Sequence, residues 1–245
     1  MKRVAACALV AGLAAFVAAC GGGSGDSDVS QEDAAAIATQ ALFVLADFPT
    51  GWTEQPSSDD DDSSLDVDTS QLPEECQAFV TREDLEGTFA EIDSPEFLGP
   101  NEESVESTVT VFDDVETAEQ AFSDIDTFFD ECVEPLEEAF SEALTSLVQE
   151  DGDTEFGQIE VSDVRFDPLS FPEHGDGQVA FQFGATVGAG PISLDLEVDF
   201  VFIRTGRVAA ALTFFTPGLG SDADEEERLA GIAEGRIREA DGQLD

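Results

Sequence analysis

Alternation of apolar and polar residues in the last third of the chain constrains the fold more than any other feature. Apolar residues occupy every second position from Ile192 to Phe202, and the positions between them as far as Asp199 are Ser193, Asp195, Glu197 and Asp199. A period of two predicts a strand with one buried face. Residues 159–166, 179–187 and 208–214 show similar patterns, and turn residues separate them. The last third is therefore predicted to form an antiparallel meander.

Two local signals refine this meander. The phase of the first strand slips at Ser162 and Asp163, which predicts a β-bulge. Thr205 and Gly206, between Arg204 and Arg207, suit a two-residue hairpin turn between the last two strands. We therefore expect a tight hairpin centred on Thr205 and Gly206.

Helical spacing and capping residues predict helices before and after the meander. Ser30 resembles an N-cap for a first helix, and Asp113, with Glu116 three residues on, resembles the cap of another. Pro135 suits the first turn of a further helix, and Asp222 lies in the predicted cap of the last one. With a strand over residues 105–112, this order predicts an α+β fold in which an antiparallel β-sheet packs against helices. Because no second linker is apparent, residues 30–245 are predicted to form a single domain.

The N-terminus is predicted to be an export signal rather than part of the fold. Lys2 and Arg3 precede an apolar run, which ends in Val17-Ala18-Ala19-Cys20. A basic start, a short apolar segment and small residues before a cut are typical of a signal peptide, and the ending resembles the lipobox of bacterial lipoproteins. Residues 1–19 are therefore predicted to be a lipoprotein signal peptide, Cys20 the lipidated (palmitate-bearing) residue, and residues 20–29 a flexible tether.

Cysteine usage predicts one disulfide. Cys7 is expected to be removed with the signal peptide and Cys20 to be acylated, so Cys76 and Cys132 remain. Outside the cytoplasm, such a remaining pair usually forms a disulfide, here expected to contribute on the order of 4 kcal/mol. Two cysteines and one histidine cannot complete a four-ligand zinc site, and no cofactor is expected.

The charge of the chain restricts its partners. The sequence has 56 Asp and Glu against 9 Lys and Arg, with a formal net charge of −47. Such a field repels nucleic-acid phosphates and anionic headgroups. We therefore expect no nucleic-acid partner, membrane contact through the lipid on Cys20, and a neutral or cationic small molecule or protein as ligand. The acid excess also suits high salt or divalent cations.

The densest acidic run lies at residues 59–68, where Asp59, Asp60, Asp61 and Asp62 are consecutive. Clustered carboxylates offer oxygen ligands to calcium. However, an EF-hand loop needs Gly at its sixth position and Glu at its twelfth, and the sixth position is Leu65 or Gln71 in the two alignments that start at Asp60 or Asp66. A solvated loop is the preferred interpretation, and calcium binding stays an open alternative.

Several motifs together resemble those of small secreted lipoproteins of actinobacteria. These are the stretch LADFPTGWT at residues 45–53, the strand STVTVF at residues 107–112, a helix rich in Ala and Phe ending at a second Cys, and RTGR at residues 204–207. Similar domains serve as extracellular sensor domains of some bacterial receptor kinases and are related in shape to PsbP-like lipoproteins. The resemblance covers roughly residues 42–240. It implies a binding or sensing module of the cell envelope, with no catalytic residues to carry over.

The sequence contains few of the side chains that commonly act in catalysis. The chain has no Tyr, its one Lys lies in the predicted signal, and its single histidine, His174, is predicted to lie in a surface turn. No Gly-x-Ser-x-Gly elbow or phosphate-binding glycine loop is present. A non-catalytic binding module located at the extracytoplasmic face of the cell membrane is therefore the preferred function. The alternatives are an envelope glycan hydrolase that uses paired carboxylates and a purely structural envelope protein.

Overall fold

The computed structural model describes most of the predicted domain. It covers residues 29–55, 69–74, 76–77, 87–150, 159–189, 192–218 and 222–244. The predicted signal peptide, Cys20, most of the tether and the whole acidic run at residues 59–68 lie outside the described residues. None of the helices in the described ranges is long and apolar enough to cross a membrane.

Eight antiparallel strands form one sheet, in the order β1-β3-β4-β8-β7-β6-β5 with β2 also paired to β4. The strands are β1 (Thr53–Gln55), β2 (Thr88–Asp93), β3 (Glu96–Leu98), β4 (Ser104–Phe112), β5 (Ile159–Pro168), β6 (Gly177–Ala189), β7 (Ile192–Thr205) and β8 (Val208–Pro217). The predicted α+β class and the meander over β5 to β8 are confirmed. The three short strands β1 to β3 were not predicted.

Helices cover both faces of the sheet. The described helices are α1 (Gln31–Ala41), α2 (Val115–Glu150) and α3 (Ala223–Asp241). The α1 and α3 helices share one core with β4, β7 and β8, whereas α2 packs on the opposite face, mainly against β5 and β6. The sheet is therefore the middle layer of three.

This arrangement corrects the prediction that β7 buries a single face. Val198 and Phe200 belong to the core under α2, and the intervening Val201 belongs to the core under α1 and α3, fully buried. At the other end of the strand, Ile192 and Leu194 are 54% and 41% exposed although they lie on the apolar side of the pattern. Alternation alone gives the side on which a residue lies, but burial depends on where the helices lie along the strand.

The Pro135 prediction is wrong, because one continuous helix, α2, runs through this residue. A proline inside a helix removes one hydrogen bond and typically costs about 3 kcal/mol. Buried residues from Ile125 to Leu144 keep a helical phase across Pro135. Each fully buried large apolar side chain contributes about 1.5–3 kcal/mol, so the packing of this stripe outweighs one missing hydrogen bond.

Turn and cap predictions are correct to within one residue. Thr205 pairs with Val208, so the turn residues are Gly206 and Arg207 and not Thr205 and Gly206. Gly206 has a φ of 56°, a conformation that favours glycine. The bulge at Ser162 is confirmed by a register shift between Ser162 and Arg165.

The helix caps agree equally well. Ser30 caps α1 by accepting the Asp33 N–H at 3.2 Å, and Asp222 caps α3 by accepting the Glu225 N–H. The cap of α2 is Asp114 rather than Asp113, because the Asp114 carboxylate accepts the Thr117 N–H at 2.8 Å. Local hydrogen bonding therefore sets the start of each helix as the sequence indicates.

The disulfide between Cys76 and Cys132 is confirmed. The two Cα atoms are 5.8 Å apart, and the residues are separated by 56 positions. Both cysteines are at least 98% buried, in the core under α2. The bond ties the segment that contains Leu72, which is buried in the same core, to the middle of α2.

Candidate functional site: a carboxylate face on the sheet

The register of β2, β3 and β4 brings acidic side chains together on the α2 side of the sheet. Asp93 pairs with Thr108, and Phe97, next to Glu96, pairs with Val105. Glu106 lies between these two pairs on the same side as Thr108, since alternate residues of a strand share a face. We call Asp93, Glu96 and Glu106 the carboxylate face.

Hydroxyl groups hold two of the three carboxylates in place. Thr108 Oγ1 donates to Asp93 Oδ1 at 2.7 Å, and a Ser104 side-chain hydrogen bond reaches Glu96. The neighbouring Thr110 Oγ1 donates to Glu91 Oε2 at 2.9 Å, on the same side of the sheet. Because hydroxyls donate to the charged form, they partly stabilise these carboxylates.

The pKa of each of the three carboxyl groups is nevertheless raised above its usual value. Burial, with smaller repulsion from Glu96 and Asp93, raises the pKa of Glu106 from 4.5 to about 7. Burial also raises the pKa of Asp93, partly offset by the Thr108 hydrogen bond, and that of Glu96, partly offset by Ser104. Titratable groups with perturbed pKa values that cluster on one surface are candidates for a functional site.

No positive charge neutralises the carboxylate face from within the described chain. None of the arginines there forms an ion pair with Asp93, Glu96 or Glu106. Their carboxylate partners are instead Asp167 and Glu197 for Arg165, Glu119 for Arg204, Glu225 for Arg228, Asp47 for Arg236 and Glu234 for Arg238. Within the described ranges, no group of three or more His, Cys, Asp or Glu residues is arranged to hold a metal ion.

The other residues considered from the sequence have structural surroundings. His174 is not at the surface as predicted, because its side chain is only 12% exposed and its Nδ1 lies 2.9 Å from Glu234 Oε2. Trp52 stacks on Phe48 at 4.8 Å and packs at the edge of the core. The predicted Phe stripe of α2 is core, with Phe122, Phe128 and Phe140 buried.

Sequence reasoning missed the carboxylate face because β2 and β3 were not predicted. One signal was available: Ala90 and Ile92 alternate with Glu91 and Asp93, a short period-two pattern. The pattern is only four residues long, and only the pairing with β4 places these acids beside Glu106.

Comparison with known proteins gives a distant structural likeness. No family profile matches the sequence, and no curated protein matches it. A solved structure of the extracellular domain of PknH from Mycobacterium tuberculosis is similar at 12% sequence identity and a TM-score of 0.31. The likeness covers 61% of this chain and 62% of the PknH domain, which is less than two thirds of that domain's length.

Proposed function

We propose that this chain is a lipid-anchored, extracytoplasmic binding or sensing module without catalytic activity, and that its carboxylate face binds a cationic group of the ligand. The anchor is the lipid on Cys20, and the ligand is a small organic cation or a cationic side chain of a protein partner. The single observation that supports this function most is the raised pKa of Glu106 next to Asp93 and Glu96.

The physical reason is that the unbound face is electrostatically unfavourable at neutral pH. One pKa unit corresponds to about 1.4 kcal/mol, and the pKa of Glu106 rises from 4.5 to about 7. A cation that removes most of this shift gains about 1–3 kcal/mol of binding free energy after allowance for partial solvent exposure. The same cation displaces the proton from Glu106, so binding and proton release are coupled.

Isothermal titration calorimetry with spermidine at pH 7 tests this function. The titration is done in two buffers of different ionisation enthalpy, so that the difference in measured heat gives the number of protons released. We expect binding with proton release in the native protein and roughly tenfold weaker binding without proton release in Glu106→Gln. Glu160→Gln removes the same charge at an exposed position on β5 and should bind as the native protein does. Equal weakening in both variants would mean that spermidine responds only to the overall charge, and the proposed site would be wrong.

The same pKa shift favours one alternative function, an envelope glycan hydrolase. A glycosidase needs one carboxylic acid with a raised pKa and a second carboxylate nearby, and Glu106 next to Asp93 or Glu96 resembles such a pair. Incubation with purified cell-wall glycan distinguishes the two. Release of reducing ends by the native protein but not by Glu106→Gln would establish the hydrolase, whereas no release is expected for a binding module.

The anchor is tested by intact mass. The Val17-Ala18-Ala19-Cys20 motif predicts that mature protein from a bacterial membrane begins at Cys20 and carries acyl chains. Cys20→Ala should give unprocessed or released protein. A mature protein whose mass corresponds to an unmodified Cys20 would contradict the anchor but not the carboxylate face.

A further inference from the structure

The connection between β5 and β6, residues 169–176, crosses the side of the sheet that α3 covers. We call it the strap. Leu169 and Phe171 pack against the core under α1 and α3. The Leu169 N–H donates to the Ala180 carbonyl at 3.0 Å, and the Asp176 N–H donates to the Arg204 carbonyl at 2.7 Å. The two ends of the strap are therefore attached to the sheet.

Between these ends, the described polar contacts of the strap with α3 converge on Glu234. The Nδ1 of His174 lies 2.9 Å from Glu234 Oε2, and the Gly175 N–H donates to the same carboxylate. Arg238 binds the other oxygen, Oε1. The side chains of His174 and Glu234 are only 12% and 20% exposed. One carboxylate thus holds two groups of the strap and one of α3.

These donors make the contact dependent on the charge of Glu234. The hydrogen bond from His174, followed by those from Gly175 and Arg238, lowers the pKa of Glu234 below its usual value of 4.5. The Nε2 of His174 is buried with no hydrogen-bond partner in the described part of the chain. Within the described residues, Glu234 is therefore the polar partner of the His174 ring.

We propose that the strap is an acid-released latch, in which protonation of Glu234 detaches residues 169–176 from α3. Protonating Glu234 removes the negative charge that the largely buried His174 ring and the exposed Arg238 guanidinium both contact. Hydrogen bonds to an ionised carboxylate are roughly twice as strong as those between neutral groups, so the contacts of His174, Gly175 and Arg238 with Glu234 all weaken together. Moving the strap outward hydrates the His174 ring and uncovers Leu169 and Phe171.

The other groups that face His174 do not replace Glu234. On the strap itself, Glu173 and Asp176 are exposed, and the Asp176 carboxylate already accepts the Gly206 N–H at 2.9 Å. On β6, the Gln178 side chain accepts the His174 N–H at 2.8 Å and does not titrate. On β7, Ile203 beside Gly175 is apolar.

The direction of the pH response follows from the lowered pKa. The interaction of Glu234 is fully present above pH 4.5, its usual pKa, and is lost as the pH falls through the lower folded value. The strap is thus closed at neutral pH and opens in acid. The latch lies on the opposite side of the sheet from the carboxylate face, so it goes beyond the proposed function and does not depend on it.

Amide hydrogen exchange of the intact domain, measured in steps from pH 7 down to pH 2, tests the latch, with protection factors corrected for the intrinsic pH dependence. We expect protection at Gly175 to fall roughly tenfold in acid, as for loss of a hydrogen bond to a charged group, while β8 stays protected. Glu234→Gln should show the low value already at pH 7 and no further change. Glu239→Gln, an exposed position on the same helix, should behave as the native protein does.

A second variant separates the latch from a merely structural contact. His174→Phe keeps an aromatic ring but offers Glu234 no hydrogen bond, so Gly175 should already have reduced protection at pH 7 and should change less with pH than in the native protein. The latch would be wrong if native protection at Gly175 did not change with pH, if it fell together with that of β8, or if protection in His174→Phe changed with pH as much as in the native protein.

Discussion

At the scale of single residues, the carboxyl group of Glu106 has a pKa far above its usual value. Its folded pKa is about 7 against 4.5 in an ordinary environment, so the folded state binds the proton more tightly than the unfolded state. Stability that comes from protonated Glu106 is therefore complete below pH 4.5 and is lost as the pH rises through 7. The carboxylate face thus opposes folding at neutral pH, which is unusual for a surface without function.

We predict that Glu106→Gln stabilises the domain at pH 8 by about 1–3 kcal/mol. The amide keeps the shape of the side chain and removes the charge that burial penalises. Urea unfolding at pH 5 and pH 8 measures the effect, which should be much smaller at pH 5. Glu160→Gln at an exposed position should change stability little at either pH, and a variant that gains no stability at pH 8 would contradict the raised pKa.

At the scale of elements, α2 combines a disulfide anchor with an internal proline. Cys132 and Pro135 lie within one turn of each other on this helix. The helix keeps its path because its buried face packs on β5 and β6, while Cys132 joins it to Cys76. Both features give a measurable consequence for stability.

We predict that Pro135→Ala stabilises the domain by about 1–2 kcal/mol. Alanine restores the backbone N–H that can bond to the carbonyl of Glu131, and it has a higher helix propensity than proline. Removing proline also gives the unfolded chain more conformational entropy, and we expect the two gains to exceed this cost. Urea unfolding measures the change, and Glu138→Ala at an exposed position of the same helix is the control for a general effect of alanine. A less stable Pro135→Ala would show that the helix needs the proline to follow the sheet.

The disulfide gives a second prediction for the same element. Because it closes a loop of 56 positions, replacing both Cys76 and Cys132 with Ala should lower stability by on the order of 4 kcal/mol. Thermal unfolding with and without a reducing agent measures this. The agent should lower the Tm of the native domain and leave that of the double variant unchanged, and an unchanged native Tm would contradict a stabilising disulfide.

At the scale of the whole molecule, the sequence predicts the elements that are locally determined and misses those that depend on distant pairing. β7 and β8 have enough alternating residues to be recognised, and Ser30 and Asp222 mark helix starts through local hydrogen bonds. In contrast, β1 and β3 have three residues each and gain their structure from pairing with each other and with β4. The carboxylate face depends on that pairing, so it could not be predicted from separate segments.

The last prediction also concerns the whole molecule, because its acidic charge is almost uncompensated. Every arginine in the described ranges already contacts a carboxylate or a backbone carbonyl, as Arg207 contacts the carbonyls of Asp113 and Leu244. Most of the 56 acidic side chains therefore repel one another without a nearby cation. Folding brings these charges closer together, so self-repulsion opposes the compact state.

Salt should therefore stabilise this domain. The screening length shortens from roughly 30 Å at 0.01 M to about 3 Å at 1 M ionic strength, and we expect the Tm to rise by several degrees between 0.01 M and 0.5 M NaCl and then to level off. Thermal unfolding in NaCl and KCl measures this, since a screening effect depends on ionic strength and not on which of the two cations is present. A Tm that stays constant or falls over this range would mean that the acidic surface does not limit stability.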